Sequence, residues 1–186
     1  MTHTFGMFYE ATSFNQDISN WDTSNVKDMH LMFFKATSFN QLLNDWDTHN
    51  VKDMRAMFAW ATSFNQPLND WKTNNVQNMS AMFDKATSFN QDLSKWDTSQ
   101  VTGMIAMFRE AKVFTGSGLE KWNVEKVENM SDMFQNAFSF NADISNWNPQ
   151  ALTNGKNFIA GKTSFSRENY EKLLSGWNQQ LTLKSP

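Results

Sequence analysis

The side chains best able to do chemistry are three histidines, His3, His30 and His49, and a recurring set of aspartates. An imidazole acts as a base, or activates a nucleophile, only with a hydroxyl, thiol or carboxylate in reach. The histidines fall at unrelated places in the chain's pattern, and none has such a partner at a recurring spacing. No catalytic role is assigned to them, and the chain is read as a non-enzyme without a cofactor. The aspartates form two series, Asp17, Asp92, Asp143 and Asp22, Asp47, Asp97. Calcium needs six or more oxygens converging on one point. One carboxylate per turn, interrupted by Leu42, Pro67 and Lys72, falls short of that, so solvated turns account for the series and no metal ligand is assigned. Calcium at one or two of these turns stays open as an alternative.

What positions these side chains is a repeat. Trp21, Trp46, Trp71 and Trp96 recur every 25 residues, and Trp122 and Trp147 continue the series after one added residue. Phe14, Phe39, Phe64, Phe89, Phe114 and Phe140 keep the same spacing, as do Met29, Met54, Met79, Met104 and Met130. Self-similarity at such a period marks an array of stacked units that bury their apolar faces against one another. The Trp, Phe and Met columns are therefore assigned to the core, and a redox or cofactor role for them is set aside.

Within a unit, Val26, Met29, Phe33 and Ala36 follow helical spacing, which predicts a short helix. Asn25 and Asp28, like Asn50 and Asp53, resemble a capping box ahead of it. A brief extended segment is expected near Leu43–Trp46, stacking into a narrow parallel sheet, with a polar turn at 47–50. In the fifth unit one extra residue and two glycines, Gly116 and Gly118, predict a bulged loop that keeps Leu119 and Trp122 in register.

Residues 1–148 are read as about six tandem repeats, the first partial, and 149–186 as a degenerate last repeat plus a capping helix. Ser166 is that helix's expected N-cap, with Tyr170, Leu173, Leu174 and Trp177 on its buried side. The net charge is only −3, and the repeats lean acidic, which argues against nucleic acid. Without cysteine there is no disulfide or thiolate site. No apolar run approaches the length of a membrane span, and no signal peptide opens the chain. Met7-Phe8 already matches Met32-Phe33, so the chain resembles a cut from a longer array.

The string from Phe14-Asn15-Gln16 through Trp21 to Val26-Lys27-Asp28-Met29, then Met32-Phe33, closely resembles the repeat of BspA-like surface proteins. That family includes mycoplasma and marine-bacterial proteins catalogued as a domain of unknown function. The resemblance covers roughly residues 5–147, and the Asn169-Tyr170 to Gly176-Trp177 ending is similar too. It implies an α/β fold, a right-handed solenoid of the leucine-rich-repeat kind with one short strand and one short helix per turn. It also implies a secreted or surface-attached protein concerned with adhesion and protein binding, and no enzymatic activity.

The residues that depart from the repeat carry the binding expectation. Tyr9, Phe34 and Trp60 are aromatic where later units place Asp84, Lys85, Arg109, Glu110, Gln135 and Asn136, and Leu31 and Leu42 are further apolar departures. Exposed aromatic groups mark interfaces. The expected contact set is Tyr9, Phe34 and Trp60 with Asp45, Asp47, Asp70 and Lys72, engaging a protein or other surface ligand of a host or neighbouring cell. The alternatives are a structural spacer or oligomerising stalk, self-associating through its N-terminal end, and a glycan- or calcium-dependent binder using the Asp and Asn turns.

Overall fold

A computed structural model describes Thr2 and residues 4–182; His3 lies outside the described residues. The chain winds through successive coils of 25 residues, each hydrogen-bonded to the next. The strand-and-helix leucine-rich-repeat architecture does not form. Among the described residues the helical elements are a single 3₁₀ turn, Leu119–Lys121, and one helix, α1, Arg167–Thr182, and neither lies in a regular repeat.

The segment expected to be a helix is instead a run of overlapping turns. Met32, Phe34 and Ala36 donate their amides to Met29, Leu31 and Phe33, three residues back. An α-helix would bond four residues back. The amides between them leave the coil: Leu31 donates to Arg55, Phe33 to Met57 and Lys35 to Ala59, at 2.8–2.9 Å. The next coil repeats this, with Ala56, Phe58 and Trp60 donating to Ser80, Met82 and Asp84. Successive turns return a side chain to the interior every three or four residues, which is why the apolar spacing mimicked a helix. Leu31 and Lys35 take positive φ, as do Ala56 and Trp60, Ala81 and Lys85, and Ala106 and Glu110. A left-handed residue with a Cβ is disfavoured by about 1–2 kcal/mol, so the neighbouring coils must hold the backbone there. Gly6 and Gly161 take up equivalent positions, where the absent Cβ removes that cost, while Glu10 and Asn157 hold the other positive φ of the same two coils.

The parallel pairing is equally misplaced by the sequence reading. It consists of single-residue bridges at Asp28, Asp53, Asn78, Gly103, Asn129 and Asn154, and not of strands at Leu43–Trp46. Leu43 and Trp46 close a turn, Trp46 N–H donating to the Leu43 carbonyl. The same carbonyl accepts the indole N–H of Trp71 from the next coil at 2.8 Å. Trp46 does likewise to Ile18, Trp96 to Leu68, Trp122 to Leu93 and Trp147 to Leu119. The carbonyl's two lone pairs accept both bonds, while the side chain at that position is a leucine or isoleucine because it is buried in the core.

The polar motif has the same logic. Asn40 N–H donates to the Asn15 side-chain oxygen, Asn65 to Asn40 and Asn90 to Asn65, with Gln66 and Gln91 donating to the same oxygens. Thr23, Thr48, Thr73 and Thr98 are buried and donate to carbonyls of the following coil. Thr37, Thr62 and Thr87 donate to carbonyls of the preceding coil. The supposed capping boxes are Asx turns, in which Asp28 accepts from the amide of His30 and Asp53 from that of Arg55.

Inside these ladders the expected columns are buried. Met29, Met54, Met79, Met104, Phe39, Phe64 and Phe89 are inaccessible, and Trp46, Trp71, Trp96, Trp122 and Trp147 nearly so. Phe14 and Trp21, in the first coil, are half-buried. Indoles stack at 6.1–6.4 Å between coils in the pairs Trp21–Trp46, Trp71–Trp96, Trp96–Trp122 and Trp122–Trp147. Gly116 and Gly118 absorb the added residue: a Cβ on Gly118 would stand 2.3 Å from the Ser94 amide nitrogen, and Leu119 and Trp122 stay buried in register.

α1 closes the far end. Ser166 caps it, its hydroxyl accepting from the Asn169 amide at 3.1 Å, and Asn169 also bonds Asn141. Its buried side is narrower than expected. Leu173 and Trp177 pack on the core, whereas Tyr170 and Leu174 are exposed.

Two outcomes follow from these ladders. Trp71→Phe removes the bond to Leu43 and should lower stability by about 1–3 kcal/mol in urea unfolding. Trp21→Phe, which breaks no such bond among the described residues, should cost less. Asp22, Asp92 and Asp143 sit below their ordinary pKa of 3.8, held there chiefly by hydrogen bonds from the serines two residues on. A depressed folded pKa stabilises fully above the unfolded value and fades as pH falls through the folded one. The Tm should therefore be flat above about pH 5 and drop below about pH 4. Asp92→Asn, which keeps an acceptor, should flatten that drop, and a Tm that rose on acidification would contradict the assignment.

Candidate functional site

The turn row that joins the coils also sets out the exposed side chains. Tyr9, Phe34, Ala59, Asp84 and Arg109 share one position of the repeat, and Glu10, Lys35, Trp60, Lys85 and Glu110 share the next. Tyr9 and Phe34 are brought together, their rings stacked at 4.9 Å with 15° between planes. Tyr9 is 48% exposed and Phe34 half-buried. Trp60 is displaced by one residue into the neighbouring position and is 38% exposed. Leu31 is half-buried in the row, and Leu42 is exposed elsewhere on the coil.

Lysines that the sequence reading passed over complete this surface. The Lys35 ammonium stands 5.3 Å from the Phe34 ring centre and pairs with Glu10 at 2.7 Å. Lys85 stands 4.0 Å over Trp60 and 3.5 Å from Glu110. A cation over an aromatic face is favourable by roughly 0.5–1 kcal/mol at exposed sites. Lys35 is held above its ordinary pKa by the Glu10 hydrogen bond. Further along, the aromatic pair gives way to an ionic one: Arg109 grips the buried Asp84 through two bonds of 2.9 and 2.7 Å. The 25-residue offset between Trp60 and Lys85 was the available signal.

The polar half of the expected set lies on the tryptophan side of the coil. Asp45, Asp47, Asp70 and Lys72 are all exposed. Asp70 accepts from Lys95 at 2.7 Å and from Asn44 at 2.7 Å, and the Lys95 bond is the main reason its pKa is lowered. Asp47 is likewise lowered, chiefly by His49, whose ring nitrogen is 2.7 Å away. Asp70 and Lys72 line a groove of about 210 Å³ with Trp71, Lys95 and Asp97.

One cluster has cation-binding side-chain types. Ligand atoms of Asp28, His30 and Asp53 lie within 4.8 Å of one another. Their lone pairs are engaged: Asp28 accepts from the His30 amide and contacts its ring at 2.5 Å, and Asp53 is held by Arg55 at 2.6–3.0 Å. His30 also stacks on Phe5 at 4.0 Å. A cation would have to displace the Arg55 guanidinium, so the cluster is an ion-pair network. The Asp17, Asp92 and Asp143 carboxylates are taken in the same way, by Ser19, Ser94 and Ser145.

No helix among the described residues is long and apolar enough to cross a membrane. The chain matches no curated protein and no solved structure. The family described as "Mycoplasma protein of unknown function, DUF285" matches twice, over residues 1–94 and 68–177. With nearly the whole array covered by those two matches, this chain belongs to that Mycoplasma family of unknown function.

Proposed function

We propose that the chain is a non-enzymatic recognition module of the cell surface or extracellular space. It docks a protein or other surface ligand on a preformed lateral face. The observation that carries this is the stacked, solvent-facing Tyr9–Phe34 pair, flanked by Lys35 and, one coil on, by Trp60 under Lys85. At the same position of later coils the surface is closed by the Asp84–Arg109 pair, so aromatic exposure is confined to one part of the row. Aromatic anchors beside cations are the composition that dominates interface energies. The backbone under them is fixed by bonds to the next coil, so little ordering entropy opposes docking. Asp45, Asp47, Asp70 and Lys72 supply a polar contact surface on the tryptophan side. The finer kinship with BspA-like surface proteins rests on the repeat string itself and supports an adhesive role.

The test is binding of the purified chain to a panel of extracellular-matrix and cell-surface proteins by biolayer interferometry. The comparison is with a Tyr9→Ser, Phe34→Ser, Trp60→Ser variant. We expect a bound member of the panel and a loss of at least about thirtyfold in affinity, matching removal of a hot spot. The Tm of the variant should move by only a few degrees. Equal binding by the two proteins, or no binding to any member, would overturn the reading.

A further inference from the structure

Four coils turn in the same way after their tryptophan, and the third breaks the rule. Asp22, Asp47, Asp97 and Asn123 each accept, through a side-chain oxygen, the amide two residues on. The donors are Ser24, His49, Ser99 and Glu125, at 2.9–3.2 Å. In such an Asx turn the side-chain oxygen stands in for a backbone carbonyl. The third coil has Lys72 at this position, which offers donors and no acceptor. Among the described residues the Asn74 amide accordingly donates to nothing, and the Lys72 ammonium pairs with no carboxylate.

Both groups stand at the groove of about 210 Å³ beside Trp71, with Lys72, Thr73 and Asn74 in its wall. The turn is held from both neighbouring coils. The Lys72 carbonyl accepts the Thr48 hydroxyl at 3.2 Å, and the buried Thr73 donates its own hydroxyl to the Asp97 carbonyl at 2.9 Å. The donors are thus fixed beforehand, and little ordering opposes binding. We infer that this turn is a binding site for a single carboxylate, which accepts from the Asn74 amide and pairs with the Lys72 ammonium. The ligand supplies from outside the oxygen that an aspartate supplies at the other turns.

The remaining charged groups of the groove set the ligand's charge. Lys95 is paired with Asp70 at 2.7 Å, Asp70 also accepts from Asn44, and Asp97 is engaged by the Ser99 amide. Lys72 and Lys95 balance Asp70 and Asp97, so a carboxylate leaves the groove with one negative charge. A phosphate dianion would leave it with two, beside two carboxylates that repel it. The ligand is a free carboxylic acid or an acidic side chain of a docked protein. In the second case it gives the tryptophan-side surface of the proposed module its chemistry, but the site does not depend on the aromatic face.

The experiment titrates the intact chain, labelled with ¹⁵N, with sodium acetate and separately with a blocked Gly-Asp-Gly peptide. Acetamide and sodium chloride at matched ionic strength are the controls. The Asn74 amide proton should move downfield and saturate, while those of Ser24, His49 and Ser99, whose bonds are already made, stay in place. Lys72→Gln should weaken binding by about fivefold, the upper end for an exposed ion pair. Lys72→Asp should move the Asn74 proton downfield without any ligand and abolish the response. Tighter binding of the peptide than of acetate would support the site with an acidic side chain as its ligand, and equal binding would support it with a free acid. An Asn74 amide that moves no more than in chloride, or a response that survives in Lys72→Asp, would overturn the inference. Because no macromolecular partner is used, that failure would leave the reading of the aromatic face standing.

Discussion

The fold depends on an alternation of backbone amides along one short stretch of each coil. Every second N–H closes a turn within the coil, and the ones between cross to the next coil. From residue 31 to residue 36 that arrangement pairs every amide, although the stretch contains neither helix nor strand, and so meets the requirement that buried backbone groups be paired. It also fixes the period. A residue added inside the row would exchange the two sets of amides beyond it and put the following side chains of that coil out of register. The one added residue in the array lies outside the row, at Gly116–Gly118, where positive φ and absent side chains absorb it.

Side-chain ladders then repeat the backbone's solution with other donors. Indole to leucine carbonyl, asparagine amide to asparagine oxygen, and buried threonine to the following coil each run the length of the regular coils. The aromatic columns lie between these polar seams and are shielded by them. Consistency across backbone, polar seams and apolar columns is what selects one register out of many.

The core was legible in the sequence because burial recurs with the period, so each column showed as one residue type at a fixed spacing. The local conformation was not, since overlapping turns bring side chains inward every three or four residues, as a helix does. Asp28 and Asp53 likewise looked like helix caps because an Asx turn uses the same residue and the same lone pair. Thr48 and Thr73 were invisible as core, a polar residue giving no sign that its hydroxyl is satisfied one coil away. Tyr9 and Phe34 could be paired from their spacing, and Lys85 over Trp60 could have been found by the same arithmetic. The outward face thus grades from aromatic in the first coils to ionic in the middle ones, over a backbone that hardly changes.

The alternating amides can be read directly in solution. Scalar couplings across hydrogen bonds connect an amide nitrogen to the carbonyl carbon that accepts from it, and Phe58 is the decisive residue. The structure predicts a coupling from the Phe58 nitrogen to the Met82 carbonyl, one coil away, at a 2.9 Å bond. A coupling from Phe58 to the Met54 carbonyl, four residues back, would show a helix in the row and contradict the account.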